Sequence, residues 1–118
     1  MSLKATARTA HNVTIIDLDG RITLGEGTEV LRDAVRREAA NNPNILLNLA
    51  KVSYMDSAGL GEMVGAHTHV ANRKGSVKLL NVQQRLKDVL QLTRLYTLFE
   101  AFDSEDDAVR SFGAAAPA

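Results

Sequence analysis

The chain has 118 residues, with fourteen basic and fourteen acidic side chains, three histidines and no cysteine. Balanced charge leaves no basic stripe for a phosphate backbone, which argues against a nucleic-acid partner. The missing cysteine excludes disulfides and thiolate metal sites. With 45% hydrophobic but only 4% aromatic residues, the core must be built mainly from Leu, Val, Ile and Ala. The N-terminus lacks an apolar leader region, and no apolar run approaches the ~18 residues of a membrane span. The expectation is one cytoplasmic domain over residues 1–112 with a disordered tail at 113–118, and no direct membrane insertion.

Leu3, Ala5 and Ala7 alternate with Lys4, Thr6 and Arg8, a weak edge-strand signal. His11-Asn12 supplies a turn, and the β-branched run Val13 to Leu18 predicts a strong strand that Asp19-Gly20 ends or bends. Thr23-Leu24-Gly25-Glu26 has capping-box spacing. Beyond it Val30, Leu31, Ala34 and Val35 form one helical face, and Asn41-Asn42-Pro43 stops that helix. Asn44 to Leu49 is apolar on both faces, as in a central strand covered by helices.

A second helix is predicted from Ser57 to about Asn72, with Lys74-Gly75 closing it. At 100° per residue Leu60, Val64, His67 and Ala71 point inward, while Gly61, Gly65, Thr68 and Asn72 share one flank. Val77 to Val82 reads as a strand, Leu86, Val89 and Leu90 as a short amphipathic helix, and Leu98 to Phe102 as a last strand. Ser104 followed by three acids starts a final helix. The order β-β-α-β-α-β-α-β-α predicts an α/β fold, with a mostly parallel sheet, one antiparallel edge strand and right-handed crossovers.

The candidate site is the junction Tyr54-Met55-Asp56-Ser57-Ala58-Gly59-Leu60-Gly61. A serine there lies in the field of unpaired N–H groups at the positive end of a helix, where a phosphate is well held. Either Ser57 or Asp56 can serve simply as the N-cap. Gly59 and Gly61 each cost a helix about 0.8–1 kcal/mol relative to alanine, and they open the surface to close approach by another backbone. The flank of Gly61 and Gly65 suits either a docking partner or packing against the neighbouring helix. A hydrolase elbow lacks its first glycine, since position 55 is Met, and the histidines offer no second triad member. His67 and His69 are a poor metal pair, because i and i+2 do not share a helix face. No catalytic residue, metal or cofactor is expected.

The run Leu47 to Gly61, with its Asp56-Ser57-Ala58-Gly59-Leu60 core, resembles the signature of the STAS domain, the anti-sigma-factor antagonist family. Gly20, Gln83-Gln84-Arg85-Leu86 and Leu98-Phe99-Glu100-Ala101-Phe102 extend the resemblance over nearly the whole chain. It implies a non-enzymatic bacterial signalling module that switches partners to regulate transcription. The unmodified protein would capture an anti-sigma factor of the serine-kinase type. Phosphorylation at Ser57 would release it, and a serine phosphatase would restore binding. Partner-contact candidates are Thr23, Leu24, Gly25, Glu26, Asp56, Ser57, Ala58, Gly59, Gly61, Glu62 and Gly65, in a monomer or weak homodimer. One departure is Thr23, which stands near a position where the family often has an acid. The alternative keeps the fold but makes the chain a scaffold or lipid-transporter accessory subunit, with Ser57 only a cap.

Overall fold

The computed structural model describes residues 3–113, so the tail expected at 113–118 lies almost wholly outside the described residues. Five strands form one sheet in the order β1-β2-β3-β4-β5. The strands are β1 (Leu3–Ala10), β2 (Val13–Ile22), β3 (Asn44–Met55), β4 (Ser76–Leu80) and β5 (Ala101–Phe102). The hairpin β1–β2 is antiparallel, and every later pairing is parallel. The intervening helices are α1 (Glu26–Asn41), α2 (Ser57–Ala71) and α3 (Gln84–Thr93), and α4 (Glu105–Ser111) closes the chain. This is the α/β architecture that the alternation of patterns predicts.

Same-handed crossovers between strands laid down in sequence put α1, α2 and α3 on one face of the sheet. Their buried residues Leu31, Ala34, Val35, Met63, Ala66, Val70 and Leu90 pack with Ile16, Leu18, Ile45, Leu47, Leu49 and Leu79. The opposite face carries a smaller cluster, in which Ala108 and Val109 of α4 cover Val13, Ile15, Leu46 and Leu80. This division explains why β3 is apolar on both sides. Leu46 and Leu47, adjacent in sequence, are each fully buried in a different cluster.

Four boundaries differ from the sequence reading. β2 does not end at Asp19-Gly20 but bends there, with register shifts against β3, and runs on to Ile22. β3 extends to Met55 instead of stopping near Leu49. Its pairing with β4 ends at Asn48↔Leu80, while β2 still pairs with Lys51, Val52, Tyr54 and Met55. α1 is not opened by Thr23. Gly25 is the N-cap at φ +103°, and the Thr28 hydroxyl accepts from the Gly25 N–H at 3.2 Å. The final strand shrinks to two residues, and Leu95–Thr97 forms a single 3-10 turn ahead of it.

The buried stripe of α2 is also rotated by about one residue. Gly59, Met63, Ala66 and Val70 are buried, while Leu60, Val64 and His67 flank them half-buried and Ala71 is exposed. The cause lies at the start of the helix, where the Asp56 N–H donates to the Ile22 carbonyl at 3.3 Å. A Cβ on Gly59 would overlap that same carbonyl oxygen. Only glycine lets the helix sit this close to the end of β2. No described helix is long and apolar enough to cross a membrane.

Candidate functional site

β3 carries the chain to the same end of the sheet as the end of β2, so the loop before α1 and the start of α2 meet there. One carboxylate joins them. Asp56 Oδ1 accepts from the Gly59 N–H at 2.8 Å as the N-cap of α2, and Oδ2 accepts from the Leu24 N–H at 3.1 Å. The Gly59 amide first, then that of Leu24, holds the Asp56 carboxyl below its ordinary value of 3.8. Asp56 is therefore anionic at neutral pH.

With Asp56 as cap, Ser57 is the first residue of the helix proper, and it is exposed. Its hydroxyl makes no hydrogen bond among the described residues. The residue stands at the positive end of the α2 dipole with its oxygen free, the local condition for holding a phosphate without rearranging the fold.

The remaining candidates divide by role. Leu24 is 78% exposed at the tip of the loop, beside exposed Gly25 and Glu26 and half-buried Thr23, whose carbonyl accepts from Thr28 N–H at 3.1 Å. Ala58 is half-buried, and Gly59 is an internal contact with β2, so the backbone it admits is the protein's own. Glu62 is engaged by Arg32 of α1, Nη2 to Oε1 at 2.7 Å, and ties α1 to α2. Gly61 and Gly65 are exposed. A Cβ at Gly61 would meet nothing within 4 Å, and one at Gly65 would reach only Glu62 Oε2 at 3.8 Å. Thr68 and Asn72, on the same flank, are exposed as well. Packing inside the molecule therefore does not explain why these two helix positions are glycine.

Sequence reasoning placed Tyr54 at the head of the junction but not among the partner contacts; it is half-exposed, three residues before Ser57 and opposite Arg21 in the sheet register. An aromatic residue near the end of a strand, two residues before a capping acid, was the available signal. The histidines stay apart from the serine. His67 packs edge-on to Phe99 with ring centres 5.7 Å apart, and His11 lies in the hairpin turn at the other end of β2. Among the described residues no group of three or more His, Asp or Glu is placed to hold a metal ion.

The family profile described as the STAS domain matches residues 4–108. The anti-sigma-B factor antagonist of Bacillus subtilis (strain 168) is 28% identical over 110 residues, covering 93% of this chain and 100% of that protein. An anti-sigma factor antagonist from Mycobacterium paratuberculosis superposes with a TM-score of 0.79 at 18% identity, over 94% of both chains. The Bacillus cell fate determinant SpoIIAA in its phosphorylated form superposes with a TM-score of 0.71 at 21% identity, over 92% of this chain and 98% of that one. At those identities the two structures establish a shared fold.

Proposed function

We propose that this chain, which belongs to the STAS domain family, is an anti-sigma factor antagonist, a binding protein whose capture of its partner is controlled at Ser57. The general role is supported by the name of its full-length Bacillus relative. The control is carried by one observation: the Ser57 hydroxyl is exposed and unbonded at the first position of α2, while Asp56 does the capping.

The unmodified face is nearly flush, with a free hydroxyl, two open glycines and the loop tip at Leu24. A phosphate adds about −1.5 to −2 charges at pH 7, next to a carboxylate that is already ionised. Covered by a partner, that charge would lose its water, and a buried unpaired charge costs several kcal/mol, roughly what a modest complex has to lose. In the free domain the helix start still accommodates the phosphate, so release works by local exclusion and not by refolding. A kinase-type anti-sigma factor would add the phosphate, and a serine phosphatase would remove it. The scaffold or transporter-accessory reading needs Ser57 as a cap, a task Asp56 holds.

The test combines the purified protein, a kinase-type anti-sigma factor from the same host and ATP. Intact mass should rise by one phosphate, mapped to Ser57. Ser57→Ala should bind and resist release, and Ser57→Asp should not bind. An unmodified Ser57 together with equal binding by both variants would refute the switch.

A further inference from the structure

We propose that helix α3 pairs with α3 of a second copy of this chain, through the exposed stripe of Arg85, Val89 and Leu92, and leaves both Ser57 faces free. The pairing does not depend on Ser57 being a switch, since it uses a different part of the surface.

Five large hydrophobic side chains are exposed among the described residues, and three of them, Val89, Leu92 and Tyr96, fall within one eight-residue stretch. Leu92, at 85%, is the most exposed of the five. Single apolar side chains on a surface need no explanation, but a contiguous set does. α3 docks on the sheet by a narrow edge: Leu90 is its one buried residue, and Leu86 is half-buried against the same core. At 100° per residue Arg85, Val89 and Leu92 lie within about 60° of one another, on a side of the helix that Leu86 and Leu90 do not share. Their i, i+4, i+7 spacing is that of a helix-pairing seam. Tyr96, 52% exposed in the 3-10 turn that follows the helix, extends the apolar surface. Packing onto the sheet therefore does not explain why positions 89 and 92 are apolar.

The charges beside the stripe select the occupant. Arg85 stands at its head and Asp88 on its border, while Lys87 projects to the other side of the helix. The surface thus carries one charge of each sign and does not repel a copy of itself. An antiparallel two-fold contact centred near Val89 sets each Leu92 over the other copy's Val89 and the stem of its Arg85. It also brings each Arg85 within reach of the other copy's Asp88, so the same ion pair forms twice. Within one copy these two residues form no ion pair, and Asp88 Oδ1 accepts from Gln84 Nε2 at 2.8 Å. An acid on the border also disfavours an anionic lipid surface. The apolar area is on the order of a few hundred Å² per copy, so the contact sits at the weak end of specific interfaces, with Kd on the order of 100 µM. Position keeps Ser57 clear. α3 begins after β4, at the same end of the parallel strands as Ser57, and runs back toward the other end, where Leu92 and Tyr96 lie.

Sedimentation equilibrium of the full chain over about 10–500 µM tests the pairing, with thermal melts as folding controls. The parent should follow a monomer–dimer equilibrium, and Ser57→Asp should follow the same one. Leu92→Glu changes an exposed side chain, so it should melt within about 2 °C of the parent yet weaken the dimer at least tenfold. Arg85→Glu and Asp88→Arg should each weaken self-association about tenfold, since each sets like charges across the two-fold. An equimolar mixture of those two variants should recover association, because both crossed ion pairs are then restored. The pairing is overturned by a parent still monomeric at about 500 µM, by a Leu92→Glu protein that associates like the parent, or by a mixture no stronger than its components. It is equally overturned if the parent is monomeric and Leu92→Glu instead loses binding to the anti-sigma factor or to phosphatidylserine-containing vesicles, for then another occupant covers the stripe.

Discussion

Three glycines in one helix should respond to alanine with opposite signs. At Gly61 and Gly65 a methyl group enters open space or ordinary contact, so each substitution should recover the helix propensity that glycine forfeits, about 0.8–1 kcal/mol. Unfolding entropy of about 2.1 cal/mol/K per residue gives this chain roughly 0.25 kcal/mol/K, so each change should raise Tm by roughly 3–4 °C. At Gly59 the same methyl group would overlap the Ile22 carbonyl, and backbone at a strand end cannot step aside cheaply. A loss of about 1–3 kcal/mol, and a Tm lowered by roughly 4–12 °C, is expected there. The functional readout should invert at the two open sites. If a partner lies flush on this flank, Gly61→Ala should melt higher yet bind the anti-sigma factor about tenfold more weakly. Differential scanning fluorimetry and biolayer interferometry on the same preparations decide the matter. A Gly61→Ala protein that melts lower, or that melts higher and binds unchanged, would refute the reasoning.

Asp56→Ala should speed hydrogen exchange at the Gly59 and Leu24 amides, since both lose the same acceptor. Ser57→Ala should leave those amides unchanged and shift stability by less than about 0.5 kcal/mol. Leu47→Ala, at a fully buried position on the central strand, should cost about 2–5 kcal/mol in urea unfolding with the m-value preserved. Arg8 bridges Asp17 and Glu105 at 2.7 Å each and holds both carboxyls below their ordinary values of 3.8 and 4.5. Their contribution is complete above those ordinary values and is lost as pH falls through the lowered, folded-state ones. The pairs are more than one-third exposed, so Arg8→Ala should cost no more than about 1 kcal/mol near neutral pH. It should also flatten the acid limb of a stability titration.

Much of this architecture is legible from side-chain periodicity, because periodicity is what packing onto a sheet selects. The element order, the β1–β2 hairpin and the strand–helix junction at Asp56-Ser57 all follow from it. Two of the misreadings share another cause, a contact remote in sequence. β3 outruns its apolar stretch because β2 continues to pair with it past Leu49, across two irregularities in register. α2 is turned by about a residue because Gly59 seats on Ile22, thirty-seven positions earlier. Asp and Ser are comparable caps, so only the bond from Gly59 N–H to Asp56 assigns the task to Asp56. The ion pair that occupies Glu62 becomes visible only once α1 and α2 lie side by side.

The division of labour between residues 56 and 57 has a wider consequence. Because the acid anchors the helix and the loop before α1, the neighbouring hydroxyl has no duty in the scaffold. Alanine, threonine or glutamate at that spot would leave the architecture standing and, under the proposed switch, make the module permanently available, differently controlled or permanently shut. Under the proposed switch, control by phosphate is thus a detachable attribute, open to revision by a single codon without putting the fold at risk.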